Sequence, residues 1–205
     1  MNLLLPEQSR VHKGIPKSKF FEKALMNTKL KREFTEKIQK IYWEYKLSES
    51  TVGMSKTGTV EEIQVFIIQL KERTIPKNVL KLIDRAIPYP ILYVFTYETH
   101  TAYGITLKGQ GEQRYYFSDW DAEMNFDFSG VNLEAVYKRI VKTFLGAPET
   151  EQNFTELIEN DKKRKTLERE IKALENKIKN ERQFNRKVEL NKTLLAKKKD
   201  VKSIA

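Results

Sequence analysis

The chain contains no cysteine and only two histidines, His12 and His100. Without cysteine, a disulfide-bonded secreted scaffold and a zinc or iron–sulfur site built from thiolates are both excluded. No apolar run approaches the ~20 residues that span a bilayer. The first residues, Met1 to Pro6, are too short for a signal peptide and lack its basic lead. We therefore expect a cytoplasmic protein that does not insert into a membrane.

Positive charge is concentrated at one end of the chain. Of 205 residues, 38 are Lys or Arg and 28 are Asp or Glu, for a formal net charge of +10. Residues 161–205 hold 16 basic and 7 acidic residues, whereas residues 110–160 hold 4 basic and 10 acidic ones. The content of 40% hydrophobic and 11% aromatic residues indicates a folded core. We expect a near-neutral body, residues 1–147, followed by a basic helical tail, residues 148–205.

Hydrophobic periodicity predicts an α/β body. A short helix follows Pro16, and apolar residues three or four apart favour further helices at 29–46, 77–86 and 133–145. Runs rich in β-branched and aromatic residues favour strands at 60–70, 91–97, 102–107 and 114–118. The first two strands should be parallel because a helix connects them, and a hairpin turn should follow. The predicted fold class is α/β (α+β), a small mixed β-sheet flanked by helices and followed by a long C-terminal coiled-coil helix.

The tail lacks glycine and proline from residue 149 to 205, which predicts one helix about 80 Å long. Heptad spacing of apolar residues within it is typical of a coiled coil. The residues expected to bind a partner protein or a second copy are Leu167, Ile171, Leu174, Ile178, Phe184, Asn185, Val188 and Leu195. The heptad is weakest at Glu181, so a bend there remains open, as does an antiparallel hairpin, although no turn residue supports one. A bend would create a second apolar stripe of Phe184, Leu190, Leu194 and Val201.

The basic residues of the tail allow two interpretations. The simpler one is the solvated exterior of a coiled coil. The other is contact with DNA or RNA phosphates, and about five such contacts would give a log–log salt slope of roughly −4 to −5. The residues expected to bind nucleic acid are Lys162, Lys163, Arg164, Lys165, Arg186, Lys187, Lys197, Lys198 and Lys199. No motif that reads base edges is present, so readout of nucleotide sequence is not predicted.

Aromatic residues in the body offer a further way to bind nucleic acid. Tyr115, Tyr116 and Trp120 could stack on bases. Tyr115 and Tyr116 are neighbours on a predicted strand, so their side chains point to opposite faces of the sheet. We therefore expect at least one of these two tyrosines to belong to the core.

The sequence holds no familiar catalytic constellation. A glycine-rich phosphate loop, a serine nucleophile elbow and an HExxH motif are all absent. The alternative to a non-enzymatic protein is a metal-dependent nuclease of the restriction-endonuclease type, because Mg²⁺ prefers carboxylate oxygens. Its candidate catalytic residues are Glu62, Glu98, Asp119 and Asp121. Glu62 and Glu98 lack the lysine that completes such a site, so we predict no metal and no cofactor.

Six short strings stand in a characteristic order along the chain. They are Ile15-Pro16-Lys17, Ile41-Tyr42-Trp43, Glu62-Ile63-Gln64-Val65-Phe66, Ile83-Asp84-Arg85-Ala86-Ile87-Pro88-Tyr89-Pro90-Ile91, Ser118-Asp119-Trp120 and Phe184-Asn185-Arg186-Lys187-Val188-Glu189-Leu190-Asn191. As a set they resemble a bacterial and archaeal domain-of-unknown-function family, number 4391, over nearly the whole chain. The resemblance implies no catalytic residues. It does imply a setting, since genes of this family often lie beside SNF2-type helicases and DNA methyltransferases of mobile or defence islands.

These observations together predict a non-enzymatic accessory protein. The body would supply a docking surface, and the basic coiled-coil tail would join it to a protein partner, to a second copy or to nucleic acid. The resemblance adds a DNA-processing or defence system as the expected setting.

Overall fold

A computed structural model of the chain describes residues 3–23, 27–107, 114–147 and 153–204. The chain divides into two compact units, Met1–Glu149, called the body, and Thr150–Ala205, called the helical hairpin. The predicted domain boundary at 147–148 adjoins residues outside the described ranges. None of the helices in these ranges combines the length and the hydrophobicity of a membrane-spanning segment.

The body alternates helices with short strands. In chain order it contains a 3-10 helix (Glu7–Ser9), β1 (Arg10–Gly14), α1 (Ser18–Lys23), α2 (Thr28–Lys37), β2 (Ile38–Leu47), α3 (Glu49–Val52), β3 (Ile63–Leu70), α4 (Lys77–Ala86), β4 (Ile91–Tyr97), β5 (His100–Leu107), β6 (Arg114–Phe117) and α5 (Leu133–Leu145). The hairpin consists of α6 (Phe154–Asn180) and α7 (Phe184–Ile204). The predicted bounds of α4, β4 and α5 are confirmed.

The six strands form one mixed sheet in the order β1-β2-β3-β4-β5-β6. The central strands β3 and β4 pair in parallel, and every other neighbouring pair is antiparallel. The parallel pair follows from α4, which connects the two strands, because a crossover returns the chain to the same end of the sheet. A small mixed sheet flanked by helices and followed by a long helical region confirms the predicted fold class.

Helices cover both faces of the sheet. On one face, buried side chains of α1, α2 and α4, among them Phe34 and Leu80, pack with Tyr93 and Phe95 of β4. Alternate strand residues point to the opposite face, where α5 contacts β5 and β6 and buries Val136 and Ile140 among others. Asn132 begins α5 by accepting the Ala135 N–H at 2.9 Å. Each fully buried large apolar side chain contributes about 1.5–3 kcal/mol to folding.

The predicted helix at 29–46 is wrong in its second half. It ends at Lys37, and the chain continues as β2. The buried residues of β2 are Ile38, Ile41, Glu44 and Leu47, which recur every third position. Two register shifts against β3, between Ile38 and Lys40 and between Trp43 and Tyr45, interrupt the normal alternation, because each bulge adds a residue to the strand. A strand with bulges therefore imitates the apolar spacing of a helix.

Strand β1 and helix α3 were not predicted from the sequence. Strand β1 has mostly exposed side chains, so it carries little hydrophobic signal. It is fastened to β2 by the buried carboxylate of Glu44, which lies 3.3 Å from Arg10 Nε and 2.8 Å from His12 Nδ1. Helix α3 is one turn long and lies between the predicted helix at 29–46 and the predicted strand at 60–70.

Candidate functional site

The C-terminal unit is two helices and not one. Helix α6 ends at Asn180 and α7 begins at Phe184, and ion pairs join the helices between Lys197 and Glu170 at 2.6 Å and between Lys198 and Glu175 at 2.8 Å. The prediction of one continuous helix of about 80 Å is therefore wrong, and the hairpin that was left open is correct. A long isolated helix has few tertiary contacts, whereas the hairpin buries an apolar seam.

The bend forms without glycine or proline. The Glu181 carboxylate accepts the backbone N–H groups of Arg182 at 2.8 Å and Gln183 at 3.0 Å. The Gln183 hydrogen bond is the main reason why the pKa of Glu181 is lowered, and the charge of Arg186 adds to it. Asn153 begins α6 by accepting the Glu156 N–H. Local carboxylate and amide acceptors thus satisfy backbone donors that a helix start leaves free.

The predicted interface residues of α6 lie in the seam between the two helices, whereas a different set of residues on α7 faces it. On α6 the predicted residues Leu167, Ile171, Leu174 and Ile178 are all partly buried. On α7 Leu194 is buried, and the positions of intermediate burial are Lys187, Leu190, Lys197, Val201 and Ile204. The bend at residues 181–183 interrupts the predicted heptad. The heptad positions that face the seam on α6 therefore do not continue into α7.

Three predicted interface residues of α7 form an exposed apolar stripe. The exposed fractions are 77% for Phe184, 38% for Val188 and 68% for Leu195. Their spacing of four and then seven residues places them within about 40° of each other around the helix. Asn185 is exposed as well. These three apolar residues, called the α7 stripe, lie outside the hairpin seam.

Ion pairs within the hairpin engage five of the nine basic residues predicted to bind phosphate. These pairs are Arg164 and Lys165 with Asp161, Arg186 with Glu181, Lys197 with Glu170, and Lys198 with Glu175. The remaining four, Lys162, Lys163, Lys187 and Lys199, have no ion pair among the described residues. Much of the basic charge of the tail is therefore compensated locally.

The candidate catalytic carboxylates do not converge. Glu62 directly precedes β3 and pairs with Lys46 at 2.6 Å, whereas Glu98 directly follows β4. Because β3 and β4 are parallel and in register, these two residues lie at opposite ends of the pair, about 25 Å or more apart at ~3.3 Å per residue. Metal ligands lie ~2 Å from the ion, so Glu62 and Glu98 cannot share one. Within the described ranges, no group of three or more His, Asp or Glu side chains is arranged to hold a metal.

Asp121 belongs to a charged cluster at the β4–β5 turn. Its carboxylate accepts the Thr101 N–H at 2.9 Å and lies 2.6 Å from His100 Nδ1 and 3.3 Å from Arg73. The Thr101 hydrogen bond is the first cause of its lowered pKa and the His100 contact is the second. Asp119 is exposed, and its carbonyl accepts the Ser118 hydroxyl. A carboxylate-oriented imidazole activates a nucleophile only where a hydroxyl or thiol lies beside its second nitrogen, and no described hydrogen bond provides one.

Helix α4 carries a row of cations that was not predicted from the sequence. Lys77, Lys81 and Arg85 are exposed and four residues apart, so they lie on one face of the helix. None of them has an ion pair among the described residues. The spacing of these cations is visible in the sequence, but a count by segment hides it because residues 47–109 are nearly neutral in total.

Comparison with known protein families places nearly the whole chain in one family. Residues 3–201 match the family model described as Domain of unknown function (DUF4391). The chain belongs to this family. The match confirms the resemblance predicted from the six strings, all of which lie within the matched residues. No curated protein and no solved structure matches the chain, so membership of DUF4391 does not assign an activity to any residue.

Proposed function

We propose that this DUF4391 protein is a non-enzymatic accessory protein that docks on a partner protein through the α7 stripe. The observation that carries the proposal is the exposure of Phe184, Val188 and Leu195 together on one face of a helix whose other face is already packed. Exposed apolar patches of this kind mark interaction sites. The setting that we propose for the partner is a DNA-processing or defence system.

The energetics favour burial of the stripe. A single exposed apolar residue needs no explanation, but three at heptad spacing form a ridge that another helix can cover. Burying a large apolar side chain contributes about 1.5–3 kcal/mol before the costs of association. The ridge can therefore supply several kcal/mol to a complex.

The basic residues of the hairpin are better explained as a solvated exterior than as a phosphate-binding site. Five of the nine predicted residues already have carboxylate partners within the hairpin. Exposed ion pairs are weak, but each phosphate contact would still have to replace one. The apolar stripe, and not the cations, is therefore the feature on which we base the proposed function.

The test combines three substitutions on the stripe, Phe184→Ser, Val188→Ser and Leu195→Ser, in the full chain. Pull-down from the native host after nuclease treatment, at low and high salt, should recover a defined partner with the natural chain and lose it with the variant. The matched control is Lys172→Ser, Asn176→Ser and Lys179→Ser, which changes exposed residues of α6 that have no described ion pair. Equal recovery of the partner by the stripe variant and the control would contradict the proposal. Circular dichroism confirms that both variants keep their helices.

A further inference from the structure

The cation row of α4 lies beside an aromatic row on β6. Tyr115 and Phe117 share one face of β6, with parallel rings whose centroids are 5.8 Å apart. Trp120 follows a short distance along the chain, and all three side chains are partly exposed. Tyr116, between the first two, is buried on the opposite face, as the alternation of a strand requires.

Each aromatic ring has a cation as its neighbour. Lys77 Nζ lies 5.3 Å from the centre of the Phe117 ring, and the Arg73 guanidinium lies 5.5 Å from that of Trp120. The charge of Arg85 acts on the Tyr115 hydroxyl, where it opposes the rise in pKa that burial and Asp84 cause. Cations from the segment between β3 and the end of α4 therefore accompany the aromatic row along its whole length.

Contacts with β5 and with the buried Asp84 carboxylate fix the positions of the Phe117 and Tyr115 rings. Gly104 of β5 pairs with Phe117 in the sheet, and a Cβ atom at Gly104 would approach the Phe117 ring to 2.8 Å. Tyr115 donates to the buried carboxylate of Asp84 at 2.5 Å, which also accepts Thr106 Oγ1 at 3.0 Å. The rings are thus fixed before any ligand arrives, which lowers the entropy cost of binding.

The charge on the surface of this face is mainly positive. Asp84 is buried beneath it and is engaged by Tyr115 and Thr106, while Asp121 is paired with Arg73 and His100. Lys81 and Arg85 also line a groove of about 320 Å³ between α2 and α4. The groove is also lined by Lys29, Asn27 and Asn78, and Glu33 is the one carboxylate among its lining residues.

We propose that this face binds single-stranded nucleic acid. The backbone phosphates lie on Lys77, Lys81 and Arg85, which repeat about every 6 Å along α4, and bases stack against Tyr115, Phe117 and Trp120. Exposed aromatic side chains with basic residues beside them are the usual means of holding unpaired bases. A duplex keeps its bases stacked and paired, so it does not offer base faces to the aromatic row. This site is separate from the α7 stripe and does not depend on it.

The test measures fluorescence anisotropy of labelled oligo(dT) and oligo(U) with the full chain over a range of salt concentrations. Three phosphate contacts predict a log–log salt slope of about −2, since each contact on a single strand contributes about −0.7. The variant Lys77→Glu, Lys81→Glu and Arg85→Glu should bind at least ~10-fold more weakly and lose most of this slope. Trp120→Leu should weaken binding with an unchanged slope, because it removes stacking and no charge.

Two controls determine whether the site is the one proposed. Lys13→Glu, Lys40→Glu and Lys56→Glu cause the same change in net charge at exposed positions without described ion pairs, and they should leave affinity nearly unchanged. An equal loss in this control, or equal binding of duplex DNA or polyglutamate, would overturn the proposal. Loss of binding with Lys162→Glu, Lys163→Glu and Lys199→Glu but not with the α4 variant would also overturn it, because the hairpin would then be the site.

Discussion

Three carboxylates in the described chain are buried, and each has hydrogen-bond or ion-pair partners. They are Glu44, Asp84 and Asp161. The donors are Arg10 and His12 at Glu44, Tyr115 and Thr106 at Asp84, and Arg164 and Lys165 at Asp161. A buried charge without partners costs several kcal/mol, so these residues fasten specific elements together. Glu44 holds β1, and Asp84 joins α4 to β5 and β6.

Glu134 illustrates how a single carboxylate makes stability depend on pH. Lys138, 2.6 Å away, is the main cause that lowers its pKa to about 2, and the Thr59 hydroxyl, also at 2.6 Å, is the second. Because the folded-state pKa lies below the ordinary value of 4.5, this stabilisation is present above pH ~5 and is lost as pH falls toward ~2. Glu134→Gln should therefore lower the free energy of unfolding by about 1 kcal/mol at pH 7, after allowance for solvent screening.

Urea unfolding at a series of pH values checks this expectation. The difference between the natural chain and Glu134→Gln should shrink steadily between pH ~5 and pH ~3. Glu61→Gln, which changes an exposed carboxylate without a described partner, should have little effect at any of these values. A Glu134→Gln effect that is independent of pH would contradict the role of the charge.

At the scale of elements, β2 shows why periodicity alone misassigned a segment. Ile38, Ile41 and Tyr45 are spaced as on a helix, but β-branched and aromatic residues dominate the segment and favour a strand. The bulges that interrupt the two-residue alternation depend on pairing with β3, which is a long-range property. Local spacing could therefore not distinguish the two structures, whereas composition gave the correct signal.

The C-terminal bend was difficult to predict for a related reason. Prediction relied on glycine and proline as signs of a turn, and the segment contains neither. The Glu181 side chain replaces them by accepting two backbone N–H groups. The second stripe that the sequence left open correctly contained Leu190, Leu194 and Val201, which are among the buried or partly buried residues of α7. It also contained Phe184, which the structure leaves exposed.

Adjacent leucines on α7 provide a test of the hairpin register. Leu194 is buried in the seam and Leu195 is largely exposed. Leu194→Ala should destabilise the chain by about 2–3 kcal/mol because it leaves a cavity, whereas Leu195→Ala should change stability by less than about 0.5 kcal/mol. Chemical denaturation followed by circular dichroism compares the two. The reverse order would support the single continuous heptad in place of the hairpin.

At the scale of the whole molecule, the elements were more predictable than the surfaces. Helices α4 and α5 and strand β4 have strong local signals, including Pro76 before α4 and Gly146 after α5, and their predicted bounds are confirmed. A binding surface instead combines residues that are distant in the chain, such as Lys77 and Phe117. Charge was counted by segment of the chain, but a ligand contacts one surface of the folded protein. Such counts do not reveal that α4 lies beside β6.

The two compact units should also separate in experiments. A chain that ends at residue 149 keeps every strand of the sheet together with α4 and α5. It should unfold cooperatively and bind oligo(dT) within about threefold of the full chain, since the cations and aromatic residues of the proposed site all lie within it. Thermal unfolding and anisotropy measure the two properties. A folded body that has lost most of its affinity would place nucleic-acid binding on the hairpin.

The close approach of Gly104 to Phe117 gives the body a built-in spectroscopic reporter. One Hα of Gly104 points toward the Phe117 ring, in the direction in which a Cβ would approach the ring to 2.8 Å, so the ring current shifts the NMR resonance of this hydrogen. The shift depends on how the ring lies over the strand. A base that stacks on Phe117, or a substitution that tilts the ring, changes this one resonance, and occupancy of the aromatic row can be followed without a label on either molecule.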